Sequence, residues 1–297
     1  MSLPRIATIA SSSVAFFLAI SKVIVGVMTG SVAVIASAVD SILDMFVSIF
    51  NMVAVRVSES KVDHMFNYGK GKIEGLAALF EGILIIASSF FISYTAIDRL
   101  IHHKEITEIN LAFYVMVFSL VVTFGLVLFL NYVAKKTNSL VIKSDALHYK
   151  TDLISNGAIV AVLVLVKFTG WYQVDFIVSL LIAIYIFKEA LELVKEGFLN
   201  LLDVSLDFKT VEDIKNIIKK EPLVLDYHCL RTRKSGHRNF VDVHLVLTPD
   251  MKLKLAHTII EKVEDKIREL DKSVTWVINI HADPYDDSNI NKMQEEC

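Results

Sequence analysis

Asp40-Ser41-Ile42-Leu43-Asp44 sets two carboxylates one helical turn apart inside a segment, Ser31 to Val55, that holds no other ionisable group. A helix of that length and apolarity reads as a membrane span. One Asp near the middle of a span costs about 2.5–3.5 kcal/mol on insertion scales. Two on one face, at i and i+4, therefore read as a cation site or proton relay turned towards other helices. Such a site needs a second helix to supply the missing ligands.

Outward from that segment, the 297 residues fall into two regimes. Hydrophobic residues make up 54% and mean hydropathy is +0.53, but the long apolar runs stop near Asn200. The predicted architecture is an α-helical membrane domain over 1–203 and an α+β cytosolic domain over 204–285, followed by a disordered polar tail over 286–297. Six spans are predicted: Ala7–Met28, Val32–Val55, Ile73–Leu100, Leu111–Ala134, Val141–Phe168 and Val174–Leu193. An even number puts both termini on one side of the bilayer. Basic residues crowd the loop after span two (Arg56, Lys61, Lys70, Lys72) and after span four (Lys135, Lys136, Lys143). The opposite loops carry Arg99 and Lys104 diluted by Asp98, Glu105 and Glu108, and then Lys167. Both termini are thus expected in the cytoplasm, in an inner-membrane protein. Met1 to Ile6 leads straight into an apolar run of full membrane length, which reads as a retained span rather than a cleaved leader.

Span five is the odd one. Its continuously apolar part, Leu153 to Phe168, is too short for a hydrocarbon core of ~30 Å at ~1.5 Å per residue. The helix must therefore extend back through His148-Tyr149-Lys150-Thr151-Asp152, where His148 and Asp152 again share a face at i, i+4. Polar groups at that depth are tolerated against protein or a wet cavity. Lys150 falls on another face, towards the cavity mouth.

Beyond Asp203 the pattern changes to that of a small mixed domain. Val211 to Lys220 reads as a helix opened at Thr210, and Leu253 to Leu270 as an amphipathic helix. Leu223 to Arg233 and Asn239 to Leu247 read as strands joined by Lys234-Ser235-Gly236-His237, with a third strand over Val274 to Ala282. The order αββαβ fits a ferredoxin-like sandwich.

Asp40, Asp44, His148 and Asp152 together offer three carboxylates and one imidazole. That set suits tetrahedral Zn²⁺, with Fe²⁺, Co²⁺ and Cd²⁺ next. Lack of a thiolate argues against Cu(I), and the nitrogen donor argues against Mg²⁺ and Ca²⁺. The same groups bind protons once the metal leaves, so metal and proton compete for one site. A second constellation, His228, His244, His257, His281 and Asp283, lies in the small domain, where His281 and Asp283 share a strand face. Cys229 follows His228 on a strand and is expected to face the other way, as a structural residue; His237 is a surface turn residue. With cysteine only at 229 and 297, the chain suits a reducing cytosol rather than a disulfide framework. Net charge is −3 with no basic stripe, so no nucleic acid partner is expected. Gly69-Lys70-Gly71-Lys72 lacks the spacing of an ATP-binding loop, and no activated nucleophile or cofactor motif suggests an enzyme.

The Asp40/Asp44 and His148/Asp152 pairs, the six spans and the His-rich αββαβ domain resemble the cation diffusion facilitator family from about Ile9 to Asp283. The resemblance implies a homodimer that exports a divalent metal by proton antiport, with Zn²⁺ foremost and Fe²⁺ or Cd²⁺ as alternatives. It implies that His228, His244, His257, His281 and Asp283 bind metal and stabilise the dimer, and that Lys72 and Asp203 interlock the protomers. Relatives often carry another site of the form Asp-xx-His-xxx-His-Gly between spans two and three. Here Phe66 and Lys70 replace both histidines, so only Asp63 and His64 remain and the site is expected to be degenerate. Two other readings stay open: a metal sensor or organelle scaffold of the same fold with little flux, and a proton-coupled transporter of organic solutes.

Overall fold

The computed structural model describes residues 2–29, 32–102, 110–169 and 173–287. The loop residues Lys104, Glu105 and Glu108 and the tail from Ser288 onward lie outside the described residues. Six long helices come first: α1 (Leu3–Thr29), α2 (Val32–Ser58), α3 (Ile73–His102), α4 (Asn110–Thr137), α5 (Leu140–Thr169) and α6 (Gln173–Leu201). Then follow α7 (Phe208–Lys219), β1 (Asp226–Ser235), β2 (Arg238–Val246), α8 (Leu253–Arg268) and β3 (Thr275–Asp283). The chain divides into two compact units at Phe198/Leu199.

In the first unit, four helical stretches among the described residues are long and apolar enough to cross a membrane: Leu3–Val25, Ala38–Ser58, Ile73–Tyr94 and Val117–Thr137. Their outer faces present large apolar side chains such as Phe16, Phe46, Phe90, Phe91 and Phe124, an arrangement suited to lipid rather than water. Between helices the buried residues are mostly small, among them Ala7, Ala54, Ala77, Ala78, Ala146 and Ala190. Lipid is as apolar as leucine, so close backbone packing and interhelical hydrogen bonds hold such a bundle together. Gly197 shows how close: a Cβ there would meet the Gly75 carbonyl oxygen at 2.8 Å and the Leu79 nitrogen at 2.9 Å.

Hydrogen bonds join the same helices. The Ser12 hydroxyl of α1 donates to the Ser48 carbonyl of α2 at 3.0 Å. Asn51 of α2, itself fully buried, donates through Nδ2 to Glu81 of α3 at 3.0 Å and to Asp145 of α5 at 3.3 Å. Ser58 and Ser139 both donate to Glu74, at 2.7 and 2.9 Å, which ties the end of α2 to the start of α3 and α5.

In the second unit β2 is central, antiparallel to β1 and parallel to β3. Alternate residues of β2, Val241, Val243 and Leu245, are buried against Ile214 and Ile218 of α7 and Ile259, Val263 and Ile267 of α8. Thr210 does not open α7. Asp207 caps it, accepting from the Thr210 backbone at 3.0 Å and from its hydroxyl at 2.6 Å, so the helix starts at Phe208. The hairpin turn tightens to Gly236-His237, with Gly236 at φ 59°, where an L residue would be strained.

Glu221 follows α7 and is 3% exposed, with Lys262 at 2.8 Å and Lys266 at 3.0 Å. Burial alone pushes this carboxyl up, but the two ammonium groups outweigh it and hold it below its ordinary value. A depressed carboxyl adds stability that is complete above the unfolded value of about 4.3 and is lost as pH falls through the folded one. Glu221→Gln is accordingly expected to weaken the α7–α8 layer by about 1–2 kcal/mol at neutral pH. Hydrogen exchange of α7 and α8, corrected for intrinsic rates, should show this difference shrinking towards zero in acid; a constant difference would contradict it.

Candidate metal centres

Helix α5 runs unbroken through His148 and Asp152, which places both inside the bundle beside α2. His148 Nε2 lies 3.2 Å from Asp44 Oδ1 and 3.7 Å from Asp152 Oδ2. One ligand atom from each of the three falls within 4.8 Å of the others, the spacing of a mononuclear metal site. Next in sequence to His148, Tyr149 is 3% exposed and its hydroxyl lies 2.7 Å from Ser48 Oγ, one turn beyond Asp44. That bond fixes the rotation of α5 against α2 and so aims the imidazole at Asp44. Asp40 stands apart: it is exposed, one turn before Asp44, and outside the three-residue cluster. Lys150 sits on another face, its ammonium 2.5 Å from the Tyr185 hydroxyl and 3.8 Å from Glu189.

The second unit assembles the other constellation across its sheet. His228 is paired in register with His244, and His244 with His281, so the three imidazoles form one row over β1, β2 and β3. Ring centroids are 5.0 Å apart for the first pair and 4.7 Å for the second. Asp283 is 5% exposed and reaches all three: Oδ2 lies 3.0 Å from His244 Nδ1 and 3.4 Å from His228 Nε2, and Oδ1 lies 3.1 Å from His281 Nε2. Ligand atoms of His228, His244, Asp283 and Asp287 come within 4.8 Å of one another. His257 does not join them; its side chain is 68% exposed and 3.4 Å from Glu261.

One expectation fails here. Cys229 does not face away from His228. The β1–β2 register shifts between His228 and Arg231, and Cys229 takes φ 53°, so the sulfur comes within 4.8 Å of ligand atoms of His228 and His244. A bulge breaks strand alternation, and the two-residue rule fails with it. Asp287, within the stretch read as tail, has its Oδ1 2.9 Å from His228 Nε2.

The loop between α2 and α3 is occupied by its own lysine. Lys70 Nζ bonds Asp63 at 2.9 Å and lies 4.7 Å from the centre of the Phe66 ring. That ammonium, with backbone N–H donors from Phe66 and Met65, holds the Asp63 carboxyl below its usual range. His64 is exposed and stands in no metal-ligand group among the described residues. Asp203, at φ 57°, pairs with Arg233 at 3.1 Å.

Residues 8–202 match the family model described as cation efflux transmembrane domain, and residues 206–285 match that of the cation efflux protein cytoplasmic domain. The chain belongs to the cation efflux family, the cation diffusion facilitators, which are secondary transporters rather than enzymes. It is 35% identical over 280 residues to the cation-efflux pump FieF of Shewanella oneidensis, covering 94% of each chain. It is 36% identical over 278 residues to that of Salmonella arizonae, covering 94% of this chain and 92% of the other. The metal-bound C-terminal domain of the CzcD transporter from Thermotoga maritima matches 26% of this chain and 87% of its own at 22% identity and TM-score 0.24.

Proposed function

We propose that this protein exports a divalent metal cation from the cytoplasm in exchange for protons, with Zn²⁺ the foremost cargo and Fe²⁺ and Cd²⁺ the alternatives. The observation that carries this reading is the convergence of Asp44, His148 and Asp152 from two helices of the membrane domain. One imidazole and two carboxylates suit a borderline divalent ion, and Asp40, one turn away, supplies a fourth oxygen as the ion enters. Each of these ligands takes a proton when it gives up metal, which couples the two flows through one site.

In this reading all six long helices cross the inner membrane, over 1–203, and both termini face the cytoplasm. The cytosolic part, 204–285, is a ferredoxin-like αββαβ domain. Metal held by His228, His244, His281 and Asp283 stabilises a homodimer there, with His257 recruited only on assembly. A Lys72–Asp203 interlock between protomers would compete with Arg233 for the same carboxylate. The degenerate Asp63–Lys70 loop takes no metal.

Anomalous scattering from crystals grown with Zn²⁺ tests the reading directly. Peaks are expected between Asp44 and His148 and over the row of histidines, and none at Asp63. Zinc-loaded crystals with no peak in the membrane domain would remove the transport assignment.

A further inference from the structure

Apart from Arg5 near its start, α1 carries a single charged residue, Lys22, within the stretch long and apolar enough to span. A lysine there is costly unless it faces the bundle interior and finds partners. Lys22 does both. Its ammonium donates to the Ser41 hydroxyl at 2.7 Å, and Ser41, 3% exposed, lies between Asp40 and Asp44 on α2. Lys22 and Asp152 also line one small pocket, together with Ser119 and Thr123 of α4 and Asn156 of α5. Lys22 thus stands at the turn of α2 that carries Asp40 and Asp44 and shares a pocket with Asp152, held there by its hydrogen bond to Ser41.

We propose that Lys22 is a tethered counter-cation of the transport site. This rests on the transport reading above. When the site gives up its metal, three carboxylates are left close together, and their mutual repulsion opposes closure of the empty carrier. The ammonium offsets part of that charge without leaving α1. When a divalent ion enters, the same ammonium repels it, and the flexible four-carbon stem lets the charge swing towards the pocket between α4 and α5. Lys22 therefore lowers the affinity for metal and speeds release and return. It is a positioning residue: it acts through the carboxylates and does not coordinate the ion.

The test is zinc-driven proton movement by the full chain in proteoliposomes, comparing wild type with Lys22→Gln and Lys22→Arg. Lys22→Gln is expected to lower KM for Zn²⁺ by about tenfold, from the loss of one unit charge close to the ion, and to lower kcat as well. Lys22→Arg, which keeps the charge, should bring both back towards wild type. A lysine that merely packs would reduce the amount of active protein and leave KM where it was, with no rescue by Arg. An unchanged or raised KM in Lys22→Gln, or an Arg variant that behaves like Gln, overturns the proposal. Should Lys22→Gln fail to fold, Lys22→Met, uncharged and of similar length, takes its place, with the same lowered KM expected and an unchanged KM overturning the proposal. Wild-type vesicles that bind Zn²⁺ but move no protons would instead overturn the antiport reading, and this inference with it.

Discussion

Alanine at Asp44 or Asp152 is expected to abolish zinc-driven proton movement in proteoliposomes. The two positions bracket His148 Nε2 at 3.2 and 3.7 Å, so either replacement removes a charged ligand and leaves the imidazole with one carboxylate. Loss of an outer-sphere partner already costs about 10–100-fold in metal affinity. Loss of a direct ligand should exceed that, by about 100-fold or more. Asp40→Ala is expected to be milder, because Asp40 lies outside the preformed cluster and water can take a fourth position on a three-ligand zinc site. Flux of metal and of protons should fall together in each variant, since in the proposed exchange one set of groups carries both. Transport at wild-type rates by both Asp44→Ala and Asp152→Ala would eliminate the site.

Much of this arrangement is legible in the sequence because the bilayer makes polar residues expensive. Asp40, Asp44, His148 and Asp152 stand out against apolar neighbours, and the short apolar stretch after Asp152 forces α5 to begin upstream of His148. Helical spacing pairs Asp40 with Asp44 and His148 with Asp152, but it treats Asp40 and Asp44 alike and does not say which of them meets α5. Only packing separates them, through the Ser48–Tyr149 bond that sets the rotation of α5. Lys22 is isolated in its helix in the same way and carries the same signal, yet nothing in the sequence says which carboxylates it meets. Asn51, Glu81 and Asp145 are less visible still, because their bonds cross three helices distant in sequence. In the cytosolic domain the histidines are legible as a group and their common row is not. That row depends on strand register and on a bulge at Cys229 that no alternation rule anticipates.

Within that row Asp283 is the group whose loss should matter most. Buried at the end of β3, it contacts His228, His244 and His281 with its two carboxylate oxygens. An ion entering the row would draw on the ring nitrogens of the imidazoles and on the buried carboxylate beneath them. Asp283→Asn keeps the shape and removes that charge. Zinc titration of the full-length protein should then show the cytosolic component weakened by about 100-fold, while binding at the membrane site is retained. His257→Ala is the contrasting case. Its side chain is 68% exposed and pairs with Glu261, away from the row of histidines, so zinc affinity within one protomer should stay near wild type. Should Asp283→Asn bind zinc as wild type does while His257→Ala loses it, the cytosolic centre would have to be relocated from the sheet to α8.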